Sequence, residues 1–182
     1  MHELATNVAL LRGLNVGGKN CVPMTKLAQL FVEAGCADVR TYIQSGNVIF
    51  KASQSKLEKL PRAITKRIAE TFGFKIPVVL RTSEQLGETL RNNPFLKAGA
   101  AEDMLHVYFL AGVPDARSLT GLDPARSSPD VFFVRGMDIY VQLPGGMART
   151  KLTNAYFDAK LATTSTARNW RTVLKLFELM QA

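Results

Sequence analysis

Apolar positions along the 182 residues switch between two spacings, and the switches divide the chain into short strands and helices. Asn7-Val8-Ala9-Leu10-Leu11 is apolar beyond its first residue, the pattern of a strand covered on both faces. Leu27, Leu30, Phe31 and Ala34 then recur at helical spacing, with Pro23 suited to the helix start and Gly35 closing it. Val39 to Gln44 predicts the next strand, Ser45-Gly46 a tight two-residue hairpin loop, and Asn47-Val48-Ile49-Phe50 the antiparallel return. Leu57, Leu60, Ile64, Ile68 and Phe72 mark a second helix, in which Pro61 sets either a kink or a late start. It ends at Gly73, before a strand over Pro77-Val78-Val79-Leu80. Strand, helix, strand, strand, helix, strand is the order of the ferredoxin-like split βαβ unit.

The second half repeats the theme less clearly. Ser83 to Arg91 reads as a helix capped by Thr82 or Ser83 and ended by Asn92-Asn93-Pro94. Met104 to Leu110 is a strand, Pro114 to Leu122 a short helix or loop, and Ser127-Ser128-Pro129 a turn. Val131-Phe132-Phe133-Val134 and Ile139 to Leu143 form a hairpin around Gly136. Leu152-Thr153-Asn154 caps a short helix holding Tyr156, Phe157 and Leu161. Thr164, Ser165 and Thr166 precede a last helix with Trp170, Val173, Leu174, Phe177 and Met180 on one face and Arg168, Arg171 and Lys175 on the other. These elements predict an α+β protein of two ferredoxin-like halves packed together, with C-terminal helices. The expected boundaries are 1–82 for the first half, 83–150 for a degenerate second half, and 151–182 for terminal helices packing on both.

The ferredoxin-like order often serves RNA recognition through aromatics on the two central strands. The first strand carries none and the third only Phe50, so that motif is absent. Since the first strand is apolar on both faces, the second face is expected to be covered by the other half of the chain.

Composition places the chain among ordinary globular proteins, with 47% hydrophobic and 21% charged residues. The formal charge of +8 favours anionic partners. No apolar run is long enough to span a bilayer, and Met1-His2-Glu3-Leu4 lacks the order of a signal peptide, so no membrane contact and a cytoplasmic location are expected. Cys21, Cys36, His2 and His106 make no metal-ligand spacing, so neither a metal nor a cofactor is expected.

The chemistry gathers in glycine-rich basic loops. Arg12-Gly13-Leu14-Asn15-Val16-Gly17-Gly18-Lys19-Asn20 leaves the first strand and puts bare backbone N–H groups beside positive charge, as anion sites require. Gly13, Gly18 and Lys19 match the phosphate-binding P-loop spacing. That reading fails, because Asn20 replaces the metal-binding hydroxyl, the helix starts later, and the strands at Val78 and Phe132 run into Arg81 and Arg135 instead of an Asp. A long turn using glycine for positive φ is the alternative. Pro144-Gly145-Gly146-Met147-Ala148-Arg149-Thr150-Lys151 is a second such turn. Arg168, read in the first turn of the last helix, would oppose the helix dipole and so calls for an anion or a carboxylate nearby.

Several stretches together resemble the bacterial family called domain of unknown function 1697. They are Leu10 to Asn20, Val22-Pro23-Met24, Thr41 to Val48, Lys151 to Asn154, Arg168-Asn169-Trp170 and Thr172 to Leu176, so that the similarity covers nearly the whole chain. The resemblance implies two ferredoxin-like halves with packed terminal helices, and no activity. The residues in these motifs are donors and fixed cations, with no paired carboxylates and no Ser-His-Asp set. The expected anion site therefore gathers Arg12, Asn15, Gly17, Gly18, Lys19, Asn20, Ser45, Asn47 and Lys151, with Arg168 and Asn169, around a nucleotide or a nucleic-acid phosphate. Two other readings stand beside it: a structural or oligomerising protein whose motifs hold turns, and a small enzyme acting on a phosphorylated metabolite through Lys19 or Lys151.

Overall fold

The computed structural model describes residues 4–182. Met1, His2 and Glu3, on which the readings of the chain's start and of one histidine rest, lie outside them. The first half runs β1 (Ala5–Leu11), α1 (Met24–Glu33), β2 (Ala37–Tyr42), β3 (Asn47–Ala52), α2 (Gln54–Leu57), α3 (Leu60–Phe72) and β4 (Val78–Thr82). It continues into α4 (Ser83–Arg91) and α5 (Pro94–Lys97). The second half runs β5 (Leu105–Leu110), α6 (Ala116–Leu119), β6 (Val131–Arg135), β7 (Asp138–Gln142), α7 (Asn154–Leu161), β8 (Ser165–Asn169) and α8 (Trp170–Gln181).

Each half forms an antiparallel four-stranded sheet, in the orders β2-β3-β1-β4 and β6-β7-β5-β8. In both, the first and third strands of the unit lie at the centre, so the chain is an α+β protein of two ferredoxin-like halves. By contacts it divides into one compact unit that runs to Gly87 and takes in Leu176–Ala182, and another over Glu88–Lys175.

In the first unit Ala9, Leu11, Val48, Phe50 and Val78 face Leu27, Phe31, Ile64 and Ile68 from α1 and α3. Val8, Leu10, Ile49 and Val79, which alternate with them, are buried as well. The strands are thus covered on both faces, as their unbroken apolar character predicts. Phe50 is part of this core, its ring centroid 5.4 Å from that of Phe31. No aromatic platform for bases stands on this sheet.

Pro61 sets a late start: α3 carries it in its first turn, separate from α2, and Gly73 closes the helix with φ 81°. The helix α4 opens with a reciprocal cap, Gln85 N–H donating to Thr82 Oγ1 at 3.1 Å and Thr82 N–H to Gln85 Oε1 at 3.0 Å.

Two expectations change. The hairpin between β2 and β3 closes with four residues rather than two, because Tyr42 pairs with Asn47 and both Ile43 (φ 49°) and Gly46 (φ 76°) take the left-handed conformation. The segment 151–182 is not helical throughout, since Ser165–Asn169 is the strand β8 and pairs with β5 to complete the second sheet. Thr166 and Ser165 suit an extended edge, and pairing with β5 offers their backbone groups partners that one more helical turn would not. The helix α8 accordingly begins at Trp170 and buries Trp170, Val173, Leu176 and Met180, while Leu174 is exposed.

In the second unit Tyr108, Leu110, Ile139 and Val141 meet Leu152, Tyr156, Phe157 and Leu161. On β5, His106 is half-buried with no partner for Nδ1 among the described residues, and desolvation lowers its pKa from the ordinary 6.5. A histidine easier to protonate unfolded than folded contributes stability above pH 6.5 and loses it as the pH falls below that value. Melting temperatures between pH 5.5 and 7 are expected to show this loss, and His106→Asn to flatten it.

Candidate functional site

The loop after β1 folds into a small finger. Asn15 N–H donates to the Asn20 carbonyl at 3.2 Å, Lys19 N–H to the Val16 carbonyl at 3.0 Å, and Val16 and Lys19 form a β-bridge. Between them Gly17 and Gly18 take φ of 57° and 73°, two successive left-handed residues in a two-residue turn. Glycine is favoured here because other residues adopt two successive left-handed conformations only at a cost, although the space around both positions is open. Val16, Gly17, Gly18 and Lys19 are exposed. Neither glycine N–H has a partner among the described residues.

Two asparagines fix the base of the finger. Asn15 accepts from Val22 N–H at 2.8 Å and donates to the carbonyls of Val22 at 3.1 Å and Gln44 at 2.9 Å. Asn20 donates to the Gly13 carbonyl at 3.1 Å. Both have positive φ, 55° and 50°, which asparagine tolerates better than most residues. The Gln44 bond ties the finger to the β2–β3 turn, and Leu11 N–H donates to the Gly46 carbonyl at 2.8 Å. In that turn the buried Asn47 donates to the Tyr42 carbonyl at 3.2 Å and to Ser45 Oγ at 3.0 Å.

The structure therefore brings the candidates of the first unit together: Arg12, Asn15, Gly17, Gly18, Lys19, Asn20, Ser45 and Asn47 lie in one loop and the turn it is bonded to. It also divides their roles. Asn15, Asn20 and Asn47 donate to backbone carbonyls, Asn47 also to Ser45, whereas Gly17, Gly18 and Lys19 form the exposed tip. Arg12 is half-buried, its N–H donating to the Pro77 carbonyl at 3.0 Å. The departure from a P-loop is plain, since the helix after this loop begins at Met24 and the N–H of Lys19 is used within the turn. Cys21 is an exposed free thiol at the finger's exit, with Sγ 3.3 Å from the Gly18 carbonyl.

In the second unit Lys151 is exposed at the end of the other glycine turn, with its backbone gripped from two sides. Its N–H donates to Ser127 Oγ at 2.8 Å, and its carbonyl accepts from Arg126 Nε at 3.0 Å. Ser127 is buried and donates to the buried Asp130 at 2.7 Å. Next, Thr153 caps α7 by accepting from Tyr156 N–H at 3.2 Å. Tyr108 OH donates to the Leu152 carbonyl, and burial first, then the Asp130 charge, raises its pKa.

Arg168 is corrected. It is a residue of β8 opposite Val107, not part of a helix's first turn, so the helix-dipole argument for a bound anion fails. Its guanidinium is buried and donates to Thr166 Oγ1 at 2.9 Å and the Ala167 carbonyl at 2.8 Å; burial brings its pKa down to about 10. Ala167 packs with Leu152, Tyr156 and Phe157, so alternation along the strand turns Arg168 to the face away from α7. Asn169 caps α8, accepting from Thr172 N–H at 2.8 Å. Neither joins the Lys151 turn.

The sequence reading missed Arg126 and Ser127. Ser127-Ser128-Pro129 reads only as a turn, and the partners that give these two residues meaning, Tyr156 and Lys151, follow about 25–30 residues later. Among the described residues no group of three or more His, Cys, Asp or Glu side chains could hold a metal ion, and no helix is long and apolar enough to cross a membrane.

A family described as "Protein of unknown function (DUF1697)" matches residues 4–140. The Lys151 and Arg168 motifs lie beyond the matched residues. A solved structure, the conserved bacterial protein SP0830 from Streptococcus pneumoniae, is similar with a TM-score of 0.76 at 21% identity, over 99% of this chain and 100% of that one. At that identity the likeness shows the fold alone. The chain matches no curated protein.

Proposed function

As this chain belongs to the DUF1697 family, whose description assigns no activity, we propose its function from its own loops: it binds anions, the phosphate of a nucleotide or of a nucleic acid. One observation carries this reading. The finger Val16–Lys19 holds two partnerless glycine N–H groups beside an exposed lysine, on a base locked by Asn15 and Asn20. Backbone donors next to a cation suit an oxyanion, and a finger ordered beforehand binds it at low entropic cost. Within the first unit Gly17, Gly18 and Lys19 contact the ligand; Lys151 is a candidate contact of the second unit, taken by itself. Asn15, Asn20 and Asn47 position the loops, while Arg168 and Asn169 drop out of the contacting set. The charge of +8 adds long-range attraction.

The experiment is a salt titration of binding to a fluorescent single-stranded oligonucleotide. Log affinity should fall linearly with log salt, and Lys19→Ala should reduce the slope by about 0.7 for one lost phosphate contact. Its melting temperature should stay that of the unaltered chain, because the Lys19 side chain is exposed and has no partner among the described residues. Affinity that ignores salt rules the nucleic-acid version out.

A second reading has its own support: Asn15, Asn20, Asn47 and Asn169 bond to backbone or to Ser45, as expected if the motifs only hold turns. Under it Lys19→Ala changes no binding.

A further inference from the structure

We infer that Arg126 is the residue through which the Lys151 turn grips a phosphate ester, an inference that rests on the anion-binding reading above. An exposed arginine ordinarily samples many rotamers, and fixing it takes on the order of 2 kcal/mol of side-chain entropy. Arg126 is already fixed. Its guanidinium carbon lies 4.1 Å from the centre of the Tyr156 ring, and Nε donates to the Lys151 carbonyl at 3.0 Å. Tyr156 is held in turn by its hydroxyl, which accepts from Asp123 N–H at 2.8 Å.

This ordering serves no ion pair. Among the described residues no carboxylate pairs with Arg126 or with Lys151. The two nearest acids in sequence are engaged elsewhere, Asp123 accepting from Ala125 N–H at 2.9 Å and Asp130 from the buried Ser127. With Nε taken, the two terminal nitrogens of Arg126 remain as a planar fork, the geometry that matches two oxygens of one phosphate.

The same bond brings the backbone of a second cationic residue beside the fork. Lys151 is clamped at its N–H by Ser127 and at its carbonyl by Arg126, so its exposed side chain starts from a fixed backbone within reach of the guanidinium. Two unneutralised cations on adjoining ordered loops repel each other, and a bound phosphate relieves that repulsion. The fork supplies orientation and the ammonium a point charge. A phosphate ester offers two oxygens to the first and its remaining charge to the second.

The test uses the full chain with two probes, a fluorescent single-stranded oligonucleotide and a nucleoside monophosphate, at low salt. Arg126→Lys keeps the charge but removes the fork and the bond to the Lys151 carbonyl; affinity should fall about tenfold, as for other bidentate sites where the two residues are not interchangeable. Lys66→Ala, an exposed cation paired with Glu70 at 3.6 Å, removes a whole charge and should change affinity less than about twofold. Loss with the oligonucleotide only assigns the site to nucleic acid; loss with both probes assigns it to the phosphate group itself. If Arg126→Lys binds both probes like the unaltered chain while Lys19→Ala loses binding, the inference is overturned and the anion-binding reading stands. If the unaltered chain binds neither probe, both are overturned together.

Discussion

Gly46→Ala is expected to destabilise the first unit by about 2–4 kcal/mol, the sum of a left-handed conformation forced on alanine and an overpacked contact. Gly46 has φ 76°, and a Cβ there would stand 2.9 Å from Leu11 Cβ and 3.2 Å from both the Leu11 carbonyl oxygen and Leu14 Cβ. Nothing around it yields cheaply. Leu11 and Leu14 are fully buried, and Leu11 N–H donates to the Gly46 carbonyl at 2.8 Å, so the turn cannot back away without breaking that bond. For a unit of this size each kcal/mol moves the melting temperature by about 4–8 °C. Thermal unfolding followed by circular dichroism should therefore show a drop of about 8–30 °C. A drop of only a degree or two would mean that the turn tolerates a side chain and that the close approach is not what selects glycine.

Asn15→Asp should cost a similar amount, about 2–4 kcal/mol, from a change of one atom in the side chain. Aspartate also tolerates positive φ, so the backbone conformation at this position is not what changes. What changes is the amide nitrogen, which donates to the Val22 carbonyl at 3.1 Å and the Gln44 carbonyl at 2.9 Å. An oxygen in its place loses both bonds and sets a carboxylate against two carbonyl oxygens, each unmet acceptor costing about 1–3 kcal/mol. The destabilisation should shrink on acidification, because the protonated carboxyl regains a donor. Oligonucleotide affinity should fall with stability, since the finger loses its tie to the β2–β3 turn. Urea unfolding at neutral and acidic pH checks the first effect and binding below the melting point the second. A variant as stable as the parent would show that the finger does not depend on Asn15.

Both predictions concern one loop, yet they reach it from different sides. Gly46 lets the turn come close; Asn15 holds it there. Lys19 at the tip bears no such structural load, which is why its removal should be read in binding and not in melting.

The residues themselves determined the order of strands and helices, the ferredoxin-like topology of the first half, and the closure of helices at Gly35 and Gly73. These follow from spacing and from glycine's backbone freedom, properties carried by neighbours along the chain. The glycine-rich loops were legible for the same reason. Tertiary structure alone decided the rest. Arg168 sits next to a strongly amphipathic helix, but its segment became a strand because β5, far earlier in the same unit, offered a partner. Asn15 and Asn20, which resemble ligand-orienting amides in sequence, turned out to brace the loop, and Arg126 gained its place from Tyr156 and Lys151. A hydrogen bond satisfies whichever partner folding brings within about 3 Å, and no local pattern states which partner that will be.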